Sequence, residues 1–294
     1  MLPRCHYTVP LPDTAPLQLG SRTLVMGIVN VTPDSFSDGG LCLDPDRAAD
    51  HAQKMEAAGA DLLDIGGEST RPGAAALSVD EELARIVPVL DRLAGRVRVP
   101  VSVDTYKAEV ARIALDHGAA IVNDVSGLLY DPALAAVAAE RGAALVLMHN
   151  RGRSRDMYQE AAYGDVGVEV TAELGDRIDA AIEAGVARSG IIIDPGLGFA
   201  KRAEHTYAAL AALGRLALLD RPLLVGPSRK SFLGGDGDGG PDDREWGTAA
   251  AVTAAVLDGA HIVRVHGVRE MVQVVRVADR IRAHGAVPES VPAG

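Results

Sequence analysis

The chain has 294 residues, of which 48 % are hydrophobic, 23 % charged and only 3 % aromatic, and its formal net charge is −11. These totals are typical of a globular protein with enough apolar side chains to bury a substantial core. The acidic excess argues against nonspecific nucleic-acid binding, which requires a basic face. An anionic substrate therefore needs a local cluster of Arg and Lys to overcome the field of the whole molecule.

Neither the cysteines nor the start of the sequence indicates secretion. The two cysteines, Cys5 and Cys42, give no disulfide framework and no spacing typical of a metal site. The start lacks the apolar segment of a signal peptide, and no stretch approaches the roughly 18 apolar residues that span a bilayer. We expect a cytoplasmic protein that binds neither membranes nor nucleic acid.

A repeated unit of strand and helix begins after an N-terminal extension at 1–21. The first strand is predicted at 23–30. It is followed by an amphipathic helix at 44–59, with Asp44 as N-cap, Pro45 at the first helical position and Gly59 as the stop. A second helix is predicted at 79–95. Seven further runs rich in Val, Ile and Leu are predicted as strands, at 59–70, 97–105, 118–127, 142–150, 189–198, 221–230 and 259–267.

The strand runs show no clean polar alternation, which indicates strands buried on both faces. Their alternation with helices predicts a parallel sheet with right-handed crossovers. Eight units of about 30 residues give the size of a (β/α)8 TIM barrel, and eight exceed what most doubly wound open sheets use, although that fold is the alternative. We predict an α/β protein with a single barrel domain over 1–294, a core at about 22–284 and a short C-terminal tail at 285–294.

In such barrels the catalytic groups lie at the C-terminal ends of the strands. One polar residue at a strand end is more often a cap or a satisfied core group, but here every predicted end is polar. The set predicts a functional site at this rim. Its members are Asn30, Asp64, Asp104, Asn123, His149, Asp194, the segment SRKS at 228–231, Arg264 and His266.

The rim divides into two kinds of chemistry. Asp104, Asn123 and Asp194 offer carboxylates, which accept paired N–H donors, and an amide, which both donates and accepts. These groups suit the amino-pyrimidinone edge of a flat heterocycle, with Lys230 as a donor to its other edge. Arg264 precedes a predicted helix, and this place after the last strands of a barrel is the usual phosphate position.

A metal and two loops complete the predicted site. Asn30 neighbours the last strand once the barrel closes, and its amide oxygen suits Mg²⁺ held mainly by phosphate and water. The loops at 31–40 and 66–78 are rich in Gly, Pro and polar residues, as ordinary surface loops are. Because both leave the rim directly, we predict lids that close over substrate.

Two further features lie near the end of the chain. The acidic segment at 234–243 lacks the spacing of a calcium loop and is predicted to be flexible. Trp246 is predicted to anchor the helix after the seventh strand.

Ordered motifs in this chain resemble those of the dihydropteroate synthase family. They are MGIVNVTPDSFSDGG (26–40), DIGGESTRPG (64–73), VSVDT (101–105), IVNDVSG (121–127), LMH (147–149), DPGLGFAK (194–201), GPSRKSFLG (226–234) and RVH (264–266). The first motif is long and specific, and together the motifs span nearly the whole chain. The resemblance implies condensation of (7,8-dihydropterin-6-yl)methyl diphosphate with 4-aminobenzoate to give 7,8-dihydropteroate and diphosphate in folate biosynthesis. It also implies competition by sulfonamides and a homodimer.

The resemblance also assigns roles to individual residues. Asp38, Asp104, Lys230 and Arg264 are implied to be catalytic, with Asp38 organising the metal and the aminobenzoate site. The implied pterin contacts are Asp104, Asn123, Asp194, Lys230 and Arg264. The implied diphosphate contacts are Asn30 with Mg²⁺, Thr70, Arg71, Arg264 and His266. The implied aminobenzoate pocket consists of Phe36, Pro72, Phe199, Lys230 and Ser231.

Small departures from the family pattern occur at Thr206, at Pro227 and in the lengthened segment 234–243. They leave the behaviour of the loop after the seventh strand open. Two other functions remain as alternatives: a methyltetrahydrofolate:corrinoid methyltransferase, and a non-catalytic paralogue that only binds pterins. The first needs no diphosphate site, and the second is expected to lose loop residues such as Asp38 and Arg71, which this chain keeps. As a hypothesis, the C–O bond of the substrate breaks before the amine attacks.

Overall fold

The computed structural model describes residues 4–32, 44–70, 73–153, 158–159, 161–234 and 240–285. The chain begins with a short antiparallel hairpin of β1 (Tyr7–Val9) and β2 (Leu17–Leu19). Eight parallel strands follow: β3 (Leu24–Asn30), β4 (Leu62–Gly66), β5 (Val101–Asp104), β6 (Ile121–Asp124), β7 (Ala144–Met148), β8 (Ile191–Asp194), β9 (Leu224–Val225) and β10 (Ile262–Val265).

These eight strands form a nearly closed barrel. Their hydrogen-bonded order is β8-β7-β6-β5-β4-β3-β10-β9, so each strand from β3 to β8 pairs with its neighbour in sequence and β10 returns beside β3. A parallel bridge between Ile193 and Leu223 joins β8 to the start of β9. The predicted barrel is confirmed, and the open doubly wound sheet is wrong.

Helices surround the barrel, and side-chain caps mark the start of the first two. Asp44 accepts from the backbone N–H of Asp46 at the start of the first helix, and Ser78 and Glu81 form a capping box at the start of the second. Gly59 adopts φ +104° just beyond the end of the first helix. The helices are α1 (Pro45–Ala57), α2 (Val79–Leu93), α3 (Ala108–Asp116), α4 (Ala133–Glu140), α5 (Val166–Glu183), α6 (Ala203–Ala211), α7 (Leu213–Leu216), α8 (Glu245–Leu257) and α9 (Val268–Gly285).

Two hydrophobic cores explain why the strand sequences are apolar at successive positions. The inner core fills the barrel with side chains such as Met26, Leu62 and Ile192, and the hairpin closes it from below through Val9 and Leu17. The outer core packs the opposite faces of the strands against the helices. Both faces of each strand are therefore buried, as in other parallel barrels.

Two local predictions differ from the structure. The run 221–230 forms a strand over only Leu224–Val225, and prolines at 222 and 227, which lack N–H donors, flank it. Trp246 is 87 % exposed and does not anchor α8, because it lies on the side of the helix opposite the buried Thr248 and Val252.

Within the described residues, no helix is both long and apolar enough to cross a membrane.

Candidate active site

Strand register brings three polar positions and one glycine from four neighbouring strands to one level of the barrel. Asn30 of β3 pairs with Gly66 of β4, and Gly66 pairs in turn with Asp104 of β5. Asp104 lies opposite Asn123 of β6. Paired residues on neighbouring strands point to the same side of a sheet, so these positions share the barrel interior. Gly66 has no side chain and leaves space between Asn30 and Asp104.

Arg264 of β10 crosses the interior and binds two carboxylates. Its Nε donates to Asp64 Oδ2 and its Nη2 donates to Asp104 Oδ2, each at 2.6 Å. The same Oδ2 atom of Asp64 accepts from Asn123 Nδ2 at 2.9 Å. Asp64 is fully buried and therefore orients both the guanidinium of Arg264 and the amide of Asn123.

Burial shifts the ionisation of the carboxyl groups around Arg264. Desolvation raises the pKa of Asp104 to about 7, against the attraction of Arg264, and the nearby Asp64 raises it further. Desolvation also raises the pKa of Asp194, and Lys230 opposes the change. Burial lowers the pKa of Arg264, but the carboxylates of Asp64 and Asp104 prevail, so the guanidinium stays charged.

Lys230 lies in the loop after β9, and its side chain reaches the loop after β8. Its ammonium donates to the carbonyl of Leu197 and lies 4.3 Å from the ring centroid of Phe199. Desolvation lowers the pKa of Lys230 to about 8, while Asp194 raises it and Arg264 lowers it further. Lys230 therefore changes charge just above neutral pH, next to a flat aromatic wall.

The half of the site predicted to bind anions centres on His266. Ser228 Oγ lies 2.9 Å from His266 Nδ1 and accepts from the backbone N–H of His266 at 3.1 Å. Ser228 is thus held against the loop that leads into α9, whose N-terminus carries the positive end of the helix dipole. Thr70, at the end of the described part of the loop after β4, is half-buried on the same cavity.

One cavity of about 460 Å³ at the barrel mouth collects most of the predicted site. The residues that line it include Asn30, Thr70, Asp104, Phe199, Lys230, Ser231, Arg264 and His266. Asn123 and Asp194 are almost completely buried and do not line it. His149 also does not line it and instead contacts Lys201 and Glu173.

Comparisons with known proteins show which family has this sequence and this barrel. The pterin-binding enzyme family matches residues 26–266. A dihydropteroate synthase from Synechocystis is 46 % identical over 278 residues, which cover 94 % of this chain and 96 % of that protein. The chain belongs to the dihydropteroate synthase family.

Solved structures of the dihydropteroate synthase family share the same barrel. The Yersinia pestis enzyme, solved with a sulfonamide drug, has a TM-score of 0.89 and 43 % identity, with 95 % of this chain and all of that chain covered. The Xanthomonas albilineans enzyme, solved with 7,8-dihydropteroate, has a TM-score of 0.82 and 41 % identity, with 95 % and 100 % covered.

Asn30, the expected magnesium ligand of this family member, has a side chain suited to a hard cation. It is half-buried on the cavity, and no hydrogen bond from the described residues engages its amide. Among the same residues, no group of three or more His, Cys, Asp and Glu is arranged to hold a metal. A single protein oxygen fits an ion held mainly by substrate phosphate and water.

Several family positions fall outside the described residues. Phe36 and Asp38 of the loop after β3, and Arg71 and Pro72 of the loop after β4, are among them. Their predicted roles, and closure of either loop as a lid, stay predictions. The same holds for the predicted flexibility of the acidic segment, since 235–239 are not described.

Two residues of the site were not assigned roles from the sequence. Asp64 was recognised as a polar strand end, but its contact with Arg264 joins positions 200 residues apart. Glu68 lines the cavity, and it also binds Lys107 Nζ at 2.5 Å and accepts from the Tyr106 hydroxyl at 2.9 Å. Its place in the DIGGEST motif was the available signal.

Proposed function

We propose that this chain joins (7,8-dihydropterin-6-yl)methyl diphosphate to 4-aminobenzoate, giving 7,8-dihydropteroate and diphosphate in folate biosynthesis. The observation that carries the proposal is one cavity in which the heterocycle partners Asp104, Lys230 and Arg264 adjoin the anion partner His266. Membership of the dihydropteroate synthase family names the two substrates. The relative bound to 7,8-dihydropteroate supports the product, and the relative bound to a sulfonamide drug supports inhibition by that class.

The pterin ring binds at the carboxylates and the amide. The ionised carboxylate of Asp104 accepts two N–H donors from the amino-pyrimidinone edge, which replace part of its contact with Arg264. Asn123, oriented by Asp64, and Asp194 complete that edge. Lys230 donates to the opposite edge, and the freed guanidinium of Arg264 stacks on the ring face.

The diphosphate binds where positive charge and N–H donors converge. Arg264, His266 and Thr70 contact its oxygens, with Arg71 as the fourth predicted contact. Asn30 would hold Mg²⁺ through its amide oxygen. When bound, the ion neutralises charge that grows on the departing diphosphate.

In the reaction, the bond between the methylene carbon and the diphosphate oxygen breaks first, and its electron pair leaves with diphosphate. Asp104 and Asp194 stabilise the positive charge that spreads from the methylene group into the ring. The amine nitrogen of 4-aminobenzoate then donates its lone pair to the methylene carbon. The ammonium product loses its proton to water or diphosphate, so no strong general base is required.

The acceptor pocket lies beside the pterin. Phe199 packs on the aminobenzoate ring, while Ser231 and Lys230 face its carboxylate, with Phe36 and Pro72 as the remaining predicted walls. Asp38 is proposed to organise the metal and this pocket together. A sulfonamide presents a similar flat aniline and occupies the same place.

A coupled assay tests the proposal. Purified protein with pterin diphosphate, 4-aminobenzoate and Mg²⁺ is expected to form dihydropteroate and diphosphate together, and EDTA is expected to abolish turnover. Methyl transfer from methyltetrahydrofolate to a corrinoid would favour the methyltransferase instead. Pterin binding without product would favour the non-catalytic paralogue.

Incubation without aminobenzoate tests the order of steps. If the C–O bond breaks before the amine attacks, the enzyme should release diphosphate slowly and form a trapped pterin adduct.

We also propose a homodimer through the outer face of α8. Only Glu245 in this helix is charged, and Trp246, Ala250, Thr253 and Leu257 follow one another along its outer face. Val277 and Ile281 of the neighbouring α9 are 59 % and 49 % exposed. A partly apolar face of this kind, bordered on α9 by the exposed Arg276 and Arg280, marks an association surface, and a second copy offers a matching face by symmetry. We further propose a cytoplasmic location, because the two cysteines of the chain suggest no disulfide framework.

A further inference from the structure

A fully buried lysine lies directly beneath the loop that follows β8. Lys201 is 1 % exposed, and its ammonium has three acceptors. They are His149 Nδ1 at 2.7 Å and the carbonyls of Gly196 and Phe199, each at 3.1 Å. Desolvation lowers the pKa of Lys201, and the carboxylate of Asp194 opposes the change. A neutral amine has only two N–H groups, so three acceptors around the nitrogen fit the charged ammonium.

A buried histidine connects Lys201 to a second carboxylate, that of Glu173. His149 Nε2 lies 3.0 Å from Glu173 Oε2, and Glu173 also binds Arg151. Desolvation lowers the pKa of His149 to about 4, so the ring is neutral. Because a carboxylate only accepts, Nε2 carries the proton and Nδ1 accepts from Lys201. Burial opposes the charge of Glu173, yet the hydrogen bonds from His149 and Arg151 lower its pKa to about 2.

The loop above Lys201 has a backbone that needs this support. Gly196, Gly198 and Ala200 adopt φ of +66°, +76° and +46°, and a side chain at Gly196 would meet the His149 carbonyl at 1.9 Å. Ala200 has a Cβ, so its left-handed conformation carries strain that surrounding contacts must outweigh.

The same loop carries the walls of the active site. The N–H of Gly196 donates to Asp194 Oδ1 at 2.7 Å, and the carbonyl of Leu197 accepts from Lys230. Phe199 lines the cavity. Lys201 therefore holds the loop from below at residues 196 and 199, while Lys230 holds it from the substrate side at 197.

We propose that Lys201 is a positioning residue, whose ammonium, supported by His149 and Glu173, sets the Asp194 carboxylate and the Phe199 ring for substrate. It touches neither substrate. The inference rests on the proposed function only in taking a pterin as the ligand of Asp194. Its effect belongs to the ring half of the site, because the anion partners Thr70 and His266 lie on other loops.

The test compares ring binding with anion binding. Lys201→Met keeps the length of the side chain and removes the charge. The affinity for 6-hydroxymethylpterin, measured by calorimetry, is expected to fall about tenfold or more, as displaced site groups typically cause. The affinity of the variant for pyrophosphate with Mg²⁺ is expected to stay within about twofold of the wild-type value, because changes at distant, independent sites do not couple.

Two further variants separate positioning from general destabilisation. Arg221→Met removes a buried cation at the opposite end of the barrel, where it donates to the Arg188 carbonyl, and should lower the Tm without weakening pterin binding. Glu173→Gln removes the charge at the far end of the histidine link, while its amide oxygen still accepts from His149. It should weaken pterin binding less than Lys201→Met does, and it tests the idea even if the lysine variant fails to fold.

Parallel losses of pterin and pyrophosphate affinity, or unchanged pterin affinity in folded Lys201→Met or Glu173→Gln, would overturn the positioning role. If the wild type binds pterin but forms no dihydropteroate, only the proposed reaction fails, because the ring affinities still decide the role of Lys201. A wild type that does not bind pterin at all contradicts both.

Discussion

Asp64 connects Arg264 to Asn123, although its own side chain has no exposed surface. One oxygen, Oδ2, accepts from both Arg264 and Asn123. The other oxygen, Oδ1, has no hydrogen-bond partner among the described residues. A buried carboxylate with an unused oxygen is costly, so its retention indicates that orienting its two partners outweighs that cost.

Asp64→Asn tests this orientation. The variant is nearly isosteric, but it removes the charge opposite Arg264 and can place an amide N–H against Asn123. We expect kcat/KM for the pterin diphosphate to fall about 100-fold, in the range for breaking a buried charged hydrogen bond. Asp61→Asn, at the start of the same strand and paired with Arg22, is the control and should retain activity. Wild-type kinetics in Asp64→Asn would refute the role.

The ionisation of Asp104 and Lys230 predicts the pH dependence of the reaction. Asp104 must be ionised to accept the pterin N–H groups, and its pKa is raised to about 7. Lys230 must be protonated to hold Leu197 while it donates to the ring, and its pKa is lowered to about 8. The plot of kcat/KM against pH should therefore be a narrow bell that falls below about 7 and above about 8.

Variants assign the two limbs of that bell. Lys230→Arg should keep some activity and move the alkaline limb upward, since a guanidinium stays charged. Asp104→Asn should be folded, should lose most of kcat and should change the acidic limb, since only Asp194 remains to set it. Rates that are flat from pH 6 to 9 in the wild type would contradict both assignments.

For these site residues, the sequence predicts where each lies on its strand better than which other side chains it contacts. Asp104, Asn123 and Asp194 were identifiable because each ends an apolar run, and runs of this kind end at the mouth of a barrel. The contacts of Arg264 were not, because they depend on strand order and on the direction of a long side chain across the interior. His149 shows the limit of the rule: it ends β7, yet it points to Lys201 and not to the cavity.

Among the secondary-structure elements, α2 and α3 hold the base of the loop after β4 through one lysine. Lys107 Nζ lies 2.5 Å from both Glu68 Oε2 and Glu82 Oε2. Glu82 is 1 % exposed, and desolvation raises its pKa even though Lys107 lowers it. Glu68 lines the cavity next to Thr70, so this ion pair links helix packing to the substrate loop.

Lys107→Met should destabilise the protein by about 3–5 kcal/mol, because it leaves buried carboxylates unpaired. This loss of unfolding free energy should depend on pH. Removing the cation raises the folded-state pKa of Glu82 further above its unfolded value, so the variant is least affected at low pH and loses stability as pH rises. Urea unfolding at pH 5 and pH 8 measures this, with Lys54→Met on the exposed side of α1 as control. An equal loss at both pH values would exclude the linkage.

Sequence prediction of the elements succeeded where a local rule determines the structure. Asp44 was predicted to cap α1 and does so, because its carboxylate accepts from a free backbone N–H. The hairpin of β1 and β2 was missed, since two strands of three residues give too few positions to show a period. The face of α8 was also unpredictable, because a helix that is apolar on nearly every side does not indicate which side is buried.

For the whole molecule, the count of strands predicted the fold but not how the barrel closes. Eight units match a barrel, yet β9 supplies only two residues, and the contact of β8 with the chain before β9 is a single bridge. The N-terminal hairpin closes the far end through Val9 and Leu17, which pack into the inner core. The mouth is left as the end open to substrate, and α8 lies on the outside of the barrel, where a second copy can bind without covering it.

Trp246 makes the proposed dimer directly measurable. It is the only tryptophan in the chain and is 87 % exposed in the single chain. Burial against a second copy should move its fluorescence emission to shorter wavelength as protein concentration rises, in step with the mass from sedimentation equilibrium. Trp246→Glu places a charge in that interface and should shift the equilibrium to monomer, whereas Val168→Glu, at a half-exposed position on α5, should remain dimeric. A wild type that stays monomeric at all concentrations refutes the dimer, and a dimer that survives Trp246→Glu unchanged places its interface elsewhere.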